Sequence, residues 1–241
     1  MFWCYLTKNF SQTYNNLYVN YSQGLEVIMK GVSKDIIFKD KKSTYVSTTA
    51  TIGKNVTIYE GNRIEGDSYI GDNVVLLPNN YIINSKIGAN SKVVSSVIEN
   101  STIGEKVSIG PYAHIRPNCI IESEVKIGNF CEIKNSKIGN RTKICHLSYV
   151  GDAEVGQDTN IGCGVIFANY NGKSKNKTKV GNNCFIGSNV NLVAPVVIDD
   201  NAYVCAGTTV VKNVKNNSFV IGRARAEEKE NRASIYLKGI I

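Results

Sequence analysis

Residues 102–139 read TIGEKVSIGPYAHIRPNCIIESEVKIGNFCEIKNSKIG. Ile103, Ile109, Ile115, Ile121, Ile127 and Ile133 stand at every sixth position, and Ile138 follows after a slip of one residue. Gly104, Gly110, Gly128 and Gly139 come directly after members of this series. A period of six matches neither the turn of an α-helix nor the alternation of a hairpin array. It fits short strands joined by tight corners, with one aliphatic side chain per hexad turned inward and successive coils paired edge to edge. The series extends toward the N-terminus through Ile98, Val93, Ile87, Ile82, Leu76, Ile70, Ile64, Ile58 and Ile52. Toward the C-terminus it runs through Ile144, Val150, Val155, Ile161 and Phe167, then Val180, Ile186, Leu192, Ile198, Val204 and Val210. Asn or Asp often follows the glycine, as in Gly71-Asp72-Asn73 and Gly181-Asn182-Asn183, which supplies residues that tolerate a left-handed corner. The expected fold is therefore all-β, a parallel β-helix.

The period is lost over residues 168–179, a polar, lysine-rich stretch that reads as a loop ejected from the solenoid. Loops leaving a rigid repeat commonly carry function. Residues 1–43 precede the repeat and include a short helical candidate at 22–30. Residues 44–222 form the β-helix, and the charged residues 223–241 read as a C-terminal arm or short helix. A β-helix has open ends, so both flanks also qualify as caps.

The chain has 241 residues, of which 42% are hydrophobic and 20% charged, with 21 Gly and 4 Pro. Its formal charge of +8 favours anionic partners, or marks a lysine-rich solvated surface. The charge is spread along the chain and no nucleic-acid motif appears. Seven cysteines, at 4, 119, 131, 145, 163, 184 and 205, form no CxxC pair, which argues against a zinc ribbon, a redox motif and a disulfide scaffold. No signal peptide or membrane-spanning run is seen, and a cytoplasmic location is expected. Only two histidines occur, His114 and His146, too few for a three-histidine zinc site. No Gly-x-Ser-x-Gly elbow supports a serine nucleophile.

From about residue 44 to 223 the chain resembles the acetyltransferase domain of the bifunctional N-acetylglucosamine-1-phosphate uridyltransferase/glucosamine-1-phosphate acetyltransferase. The resemblance rests on IGPYAHIRP (109–117), IGNFCEIKNSKIG (127–139), HLSYVGDAEVGQDTNIGCG (146–164), NYNGKSKNKT (169–178), IGSNVNLVAP (186–195) and AGTTV (206–210). It implies a homotrimer of left-handed β-helices with sites between subunits. It also implies acetyl-CoA-dependent N-acetylation of glucosamine-1-phosphate on the route to UDP-N-acetylglucosamine, a peptidoglycan precursor. Carried over by position, His146 matches the catalytic base, and Arg116, Lys134, Tyr149, Asn160 and Lys175 match sugar-phosphate contacts. Cys163, Asn169, Tyr170, Ser188, Ala206 and Arg223 match acetyl-CoA contacts. Cys163 stands where the family often has alanine. Cys145 stands where it often has glycine, and is expected to tighten the local turn.

The residue chemistry agrees with these roles. Arg and Lys supply the fork and point charges that a phosphate needs. A thioester is already activated, so the difficulty lies in the amine, whose proton a neutral imidazole can take. No metal is expected for acetyl transfer. No phosphate loop of a nucleotidyltransferase appears, so uridyl transfer is not expected here and falls to a separately encoded enzyme or to none. The competing readings are acyl transfer to another amino sugar or nucleotide-sugar, and a non-catalytic β-solenoid remnant.

Overall fold

The computed structural model describes residues 35–236. The helical candidate at 22–30 lies outside them, as does the rest of the chain before residue 35. The described chain is a parallel β-solenoid with three faces of 11, 10 and 9 strands. The chain visits the first, second and third face in turn, and strands pair with the one three places on until the last coil, where Tyr203–Val204 pairs with Phe219–Val220, two places on. The opening isoleucines thereby sort into three columns. Ile103 pairs with Ile121, Ile109 with Ile127, and Ile115 with Ile133. All are buried, together with the rest of the hexad series from Ile52 to Val210. Most strands are two residues long, and each hexad turns two side chains inward rather than one: the aliphatic residue and the smaller one two places before it, such as Val107 before Ile109 and Ala113 before Ile115. The one-residue slips fall at shorter corners and leave the columns intact. Ile82, Ile87 and Ile98, for example, are fully buried.

The corners take left-handed backbone. On successive coils Asn55, Asn73 and Asn90 have φ of 55°, 58° and 59°, where asparagine is the least strained residue after glycine. Buried amides tie the coils together: Asn80 Nδ2 donates to the Asn62 side-chain carbonyl at 2.8 Å and to the Leu77 carbonyl at 2.6 Å.

The first strand, Ile37–Phe38, already pairs with Thr57–Ile58, so coiling begins ahead of residue 44. The last strand is Phe219–Val220. The ejected loop is narrower than its lost period indicates. Ala168 ends strand Ile166–Ala168, and Thr178 and Lys179 belong to strand Thr178–Val180, so the excursion covers 169–177. Beyond the last strand the arm is exposed, and its only helical turn among the described residues is the 3₁₀ segment Ala233–Ile235. Asn231, at φ 57°, interrupts any α-helix there, and Arg232 provides no side-chain cap.

Candidate active site

Two strands of the first face depart from the two-residue rule. Lys126–Asn129 and Lys143–His146 run for four residues and pair as far as Asn129 with His146. The strand passes straight through Cys145, so this residue extends the ladder rather than tightening a turn. Glycine is required one coil earlier. A Cβ on Gly128 would lie 1.8 Å from the Cys145 carbonyl oxygen. Immediately after His146 the chain turns at Leu147, whose φ is 47°, and the imidazole is left exposed at the edge between first and second faces.

Backbone bonds carry this edge down the solenoid. The Leu147 N–H donates to Asn129 O at 3.0 Å and the Gly164 N–H to His146 O at 3.3 Å. The Asn189 N–H donates to Cys163 O and the Gly207 N–H to Ser188 O, both at 2.8 Å. Asn129, His146, Cys163, Ser188 and Ala206 therefore occupy equivalent positions on successive coils. Below His146 the side chains form a row of small residues, Cys163, Ser188 and Ala206, and at its far end Arg223 Nη1 donates to Ala206 O at 3.0 Å. Four of the six residues matched to acetyl-CoA thus share one edge with the matched base. Asn169 does not. It is buried on the far side of the second face. Tyr170 is exposed in the loop, where its hydroxyl donates to Gly172 O at 2.8 Å and its backbone bridges Lys175.

The second face beside His146 carries the cations. Arg116 Nη1 contacts Glu132 Oε1 at 2.8 Å, and Lys134 Nζ stands 3.7 Å from Asp152 Oδ2. Strand Glu132–Lys134 pairs with Tyr149–Gly151, so Tyr149 lies next to Glu132. Gly151 makes room for this arrangement, since a Cβ there would meet the Tyr149 hydroxyl at 2.3 Å and Asn169 Nδ2 at 2.7 Å. Asp152 is the hub. Asn135 Nδ2 donates to one of its carboxylate oxygens at 2.6 Å and Asn169 Nδ2 to the other at 2.5 Å. Burial alone would raise its carboxyl pKa. The two amide donors, with Lys134 and Lys175 nearby, more than offset burial and hold it below the usual aspartate value. Lys175 comes from the loop against Lys134. The neighbouring Lys134 charge holds the Lys175 ammonium below the ordinary lysine pKa, while Asp152 beside Lys134 favours the Lys134 ammonium.

Arg116, Lys134, Tyr149 and Lys175 are thus gathered in one patch with His146 at its border. Asn160 is separate: it sits on the first face between Lys143 and Phe185. His114 is also separate, tied to Glu99 at 3.3 Å. The residues that motif reading missed are Asn129, Glu132 and Asp152. Each lies one coil from a residue that was singled out, at 146, 149 and 134 respectively, and coil spacing is the signal that finds them. A column of exposed apolar side chains, Tyr112, Phe130 and Leu147, borders the site at 62%, 55% and 57% exposure. Its first two rings stack at 5.5 Å.

Residues 100–135 and 177–212 match the bacterial transferase hexapeptide family (six repeats). The chain is 49% identical over 201 residues to the bifunctional protein GlmU of Clostridium kluyveri, covering 83% of this chain and 44% of that one. Against the bifunctional protein GlmU of Caldicellulosiruptor saccharolyticus it is 51% identical over 206 residues, covering 86% and 44%. Among solved structures, a UDP-N-acetylglucosamine acyltransferase from Bacteroides fragilis aligns with a TM-score of 0.34 and 21% identity, over 73% of this chain and 69% of that one. The chain spans less than half the length of the curated relatives it matches. With hexapeptide repeats at 100–135 and 177–212 and about half of its residues identical over most of this chain, the chain is a hexapeptide-repeat homologue of part of the bifunctional protein GlmU.

Proposed function

We propose that the chain transfers the acetyl group of acetyl-CoA to the amine of glucosamine-1-phosphate, forming N-acetylglucosamine-1-phosphate on the route to UDP-N-acetylglucosamine. The observation that carries this reading is the position of His146. It heads a row of small side chains along which a linear acyl donor can lie, and it borders a cluster of cations that fits a sugar phosphate. In this reading Arg116, Lys134 and Lys175 hold the phosphate, and Tyr149 meets the sugar. Cys163, Ser188 and Ala206 line the donor's path, and Arg223 meets its phosphates.

The neutral amine attacks the thioester carbon while His146 takes one proton from nitrogen. The tetrahedral intermediate collapses, the C–S bond breaks, and the departing thiolate takes the proton from the imidazolium. No covalent enzyme intermediate is needed, and general-base help of this kind contributes roughly 10²–10⁴-fold. Asn160 and the cation patch lie on different faces of one chain. A homotrimer that sets one chain's first face against its neighbour's second would unite them and cover the apolar column of Tyr112, Phe130 and Leu147. A cytoplasmic site of action belongs to the same proposal.

The test is release of free thiol from acetyl-CoA with a panel of amino sugars. Glucosamine-1-phosphate should be the best acceptor, with unphosphorylated glucosamine poorer. Equal use of the two would overturn the phosphate assignments, and preference for a nucleotide-sugar would replace the proposed substrate.

A further inference from the structure

We infer that Asn129 is a positioning residue for His146: its side-chain carbonyl holds the imidazole in the Nδ1–H tautomer and leaves the Nε2 lone pair free to accept a proton. The inference rests on the proposed reading of His146 as the base. Strand Lys143–His146 packs between Lys126–Asn129 and Asn160–Ile161. Their sequences are KICH, KIGN and NI, so no carboxylate faces the imidazole from any of the three. The titratable groups they carry are Lys126, Lys143 and Cys145, with Cys163 following the last strand. The group at the ring is the amide of Asn129, with Oδ1 at 3.0 Å from Nδ1. The four-residue extension of both strands brings the two side chains abreast.

An amide oxygen can only accept, so the ring nitrogen facing it must carry the proton. The other nitrogen is then the basic one, and its identity is set by this bond. An amide also differs from a carboxylate in carrying no charge. A carboxylate at this distance would favour the imidazolium and leave less of the free base near neutral pH. Asn129 orients the ring without that penalty.

The experiment is nitrogen-15 NMR of the whole chain. His114→Gln removes the other histidine, so the remaining ring signals belong to His146. Above its titration, His146 should show a protonated Nδ1 and an unprotonated Nε2. Asn129→Ala should move the populations toward the Nε2–H form that free side chains favour, and lower kcat by roughly 10-fold with the KM for acetyl-CoA unchanged. Asn129→Asp keeps the acceptor and the shape. It should preserve the tautomer while moving the acid limb of the kcat/KM profile up by about one pH unit or more. A wild-type ring that is mainly Nε2–H, or populations that do not respond to Asn129→Ala, would overturn the inference. If the wild type acetylates no amino sugar, the base assignment falls, and the ring-nitrogen shifts still decide whether Asn129 sets the tautomer.

Discussion

His146 is exposed on a turn whose next residue is in left-handed backbone, and nothing about its own burial marks it as reactive. Its surroundings do. With the ring removed in His146→Ala, kcat should fall by roughly 10²–10⁴-fold while the KM for acetyl-CoA changes little. His114→Ala, whose imidazole is engaged by Glu99, should lose far less, and steady-state kinetics on the two variants compares them directly. On the second face, Arg116→Ala and Lys134→Ala should raise the KM for the sugar phosphate roughly 10- to 100-fold, the range expected for one charged hydrogen bond. Arg116→Ala also leaves Glu132 uncompensated beside the phosphate, so it should be the more damaging of the two. These cations and the histidine were legible because they lie within contiguous motifs. Glu132 and Asp152 were not, because an acidic residue on a short strand or at a corner looks like a solvated one until the coil length places it beside its partner. Asn169 shows the reverse. Its motif was read, yet its amide is taken up by Asp152 and Tyr149 inside the patch rather than along the row of small side chains below His146.

At the scale of the coil, the hexad series predicted one inward position per strand, and every member is buried. It missed a second inward row two residues earlier, because small or polar side chains such as Ala113, Cys119 and Ser136 carry no aliphatic signal. Strand length could not be read either. Cys145 in a glycine row turns a corner into two more residues of ladder, and only the paired backbone shows it. Gly128 tests this local geometry. In Gly128→Ala the new methyl would run into the Cys145 carbonyl, so the strand bearing His146 must shift. The expected loss is about 1–3 kcal/mol, read as a fall of several degrees in Tm, together with a drop in kcat. Gly172→Ala is the control. Its added methyl meets no atom within 4 Å, so only the strain of a positive φ remains, and kcat should be retained. The sequence left the C-terminal segment open between an arm and a short helix. Over its described residues it is an exposed arm, because without an apolar face to pack there is little to hold a helix beyond the three-residue turn.

For the molecule as a whole, the division of candidate contacts between two faces predicts a trimer. Light scattering at working concentrations should give three times the mass of the 26.4 kDa chain, and replacing Phe130 or Leu147 by Asp should reduce both assembly and acetyl transfer. A stable monomer with full activity would exclude the assembly. The three-faced fold itself was legible from the repeat, since identical hexads leave few ways to bury their aliphatic residues. Which edge would carry the chemistry was not, because all three edges share the same turn residues. That edge has one further property. Coils in a parallel sheet are spaced by about 4.8 Å, so the steps from His146 through Cys163, Ser188 and Ala206 to the coil bearing Arg223 measure roughly 19 Å. The solenoid is in effect a graduated ruler. Adding or deleting one whole coil between His146 and Arg223 would leave the core columns in register while moving the two ends of the site by one graduation. Donor length would then become a quantity set by counting coils, adjustable without redesigning either end.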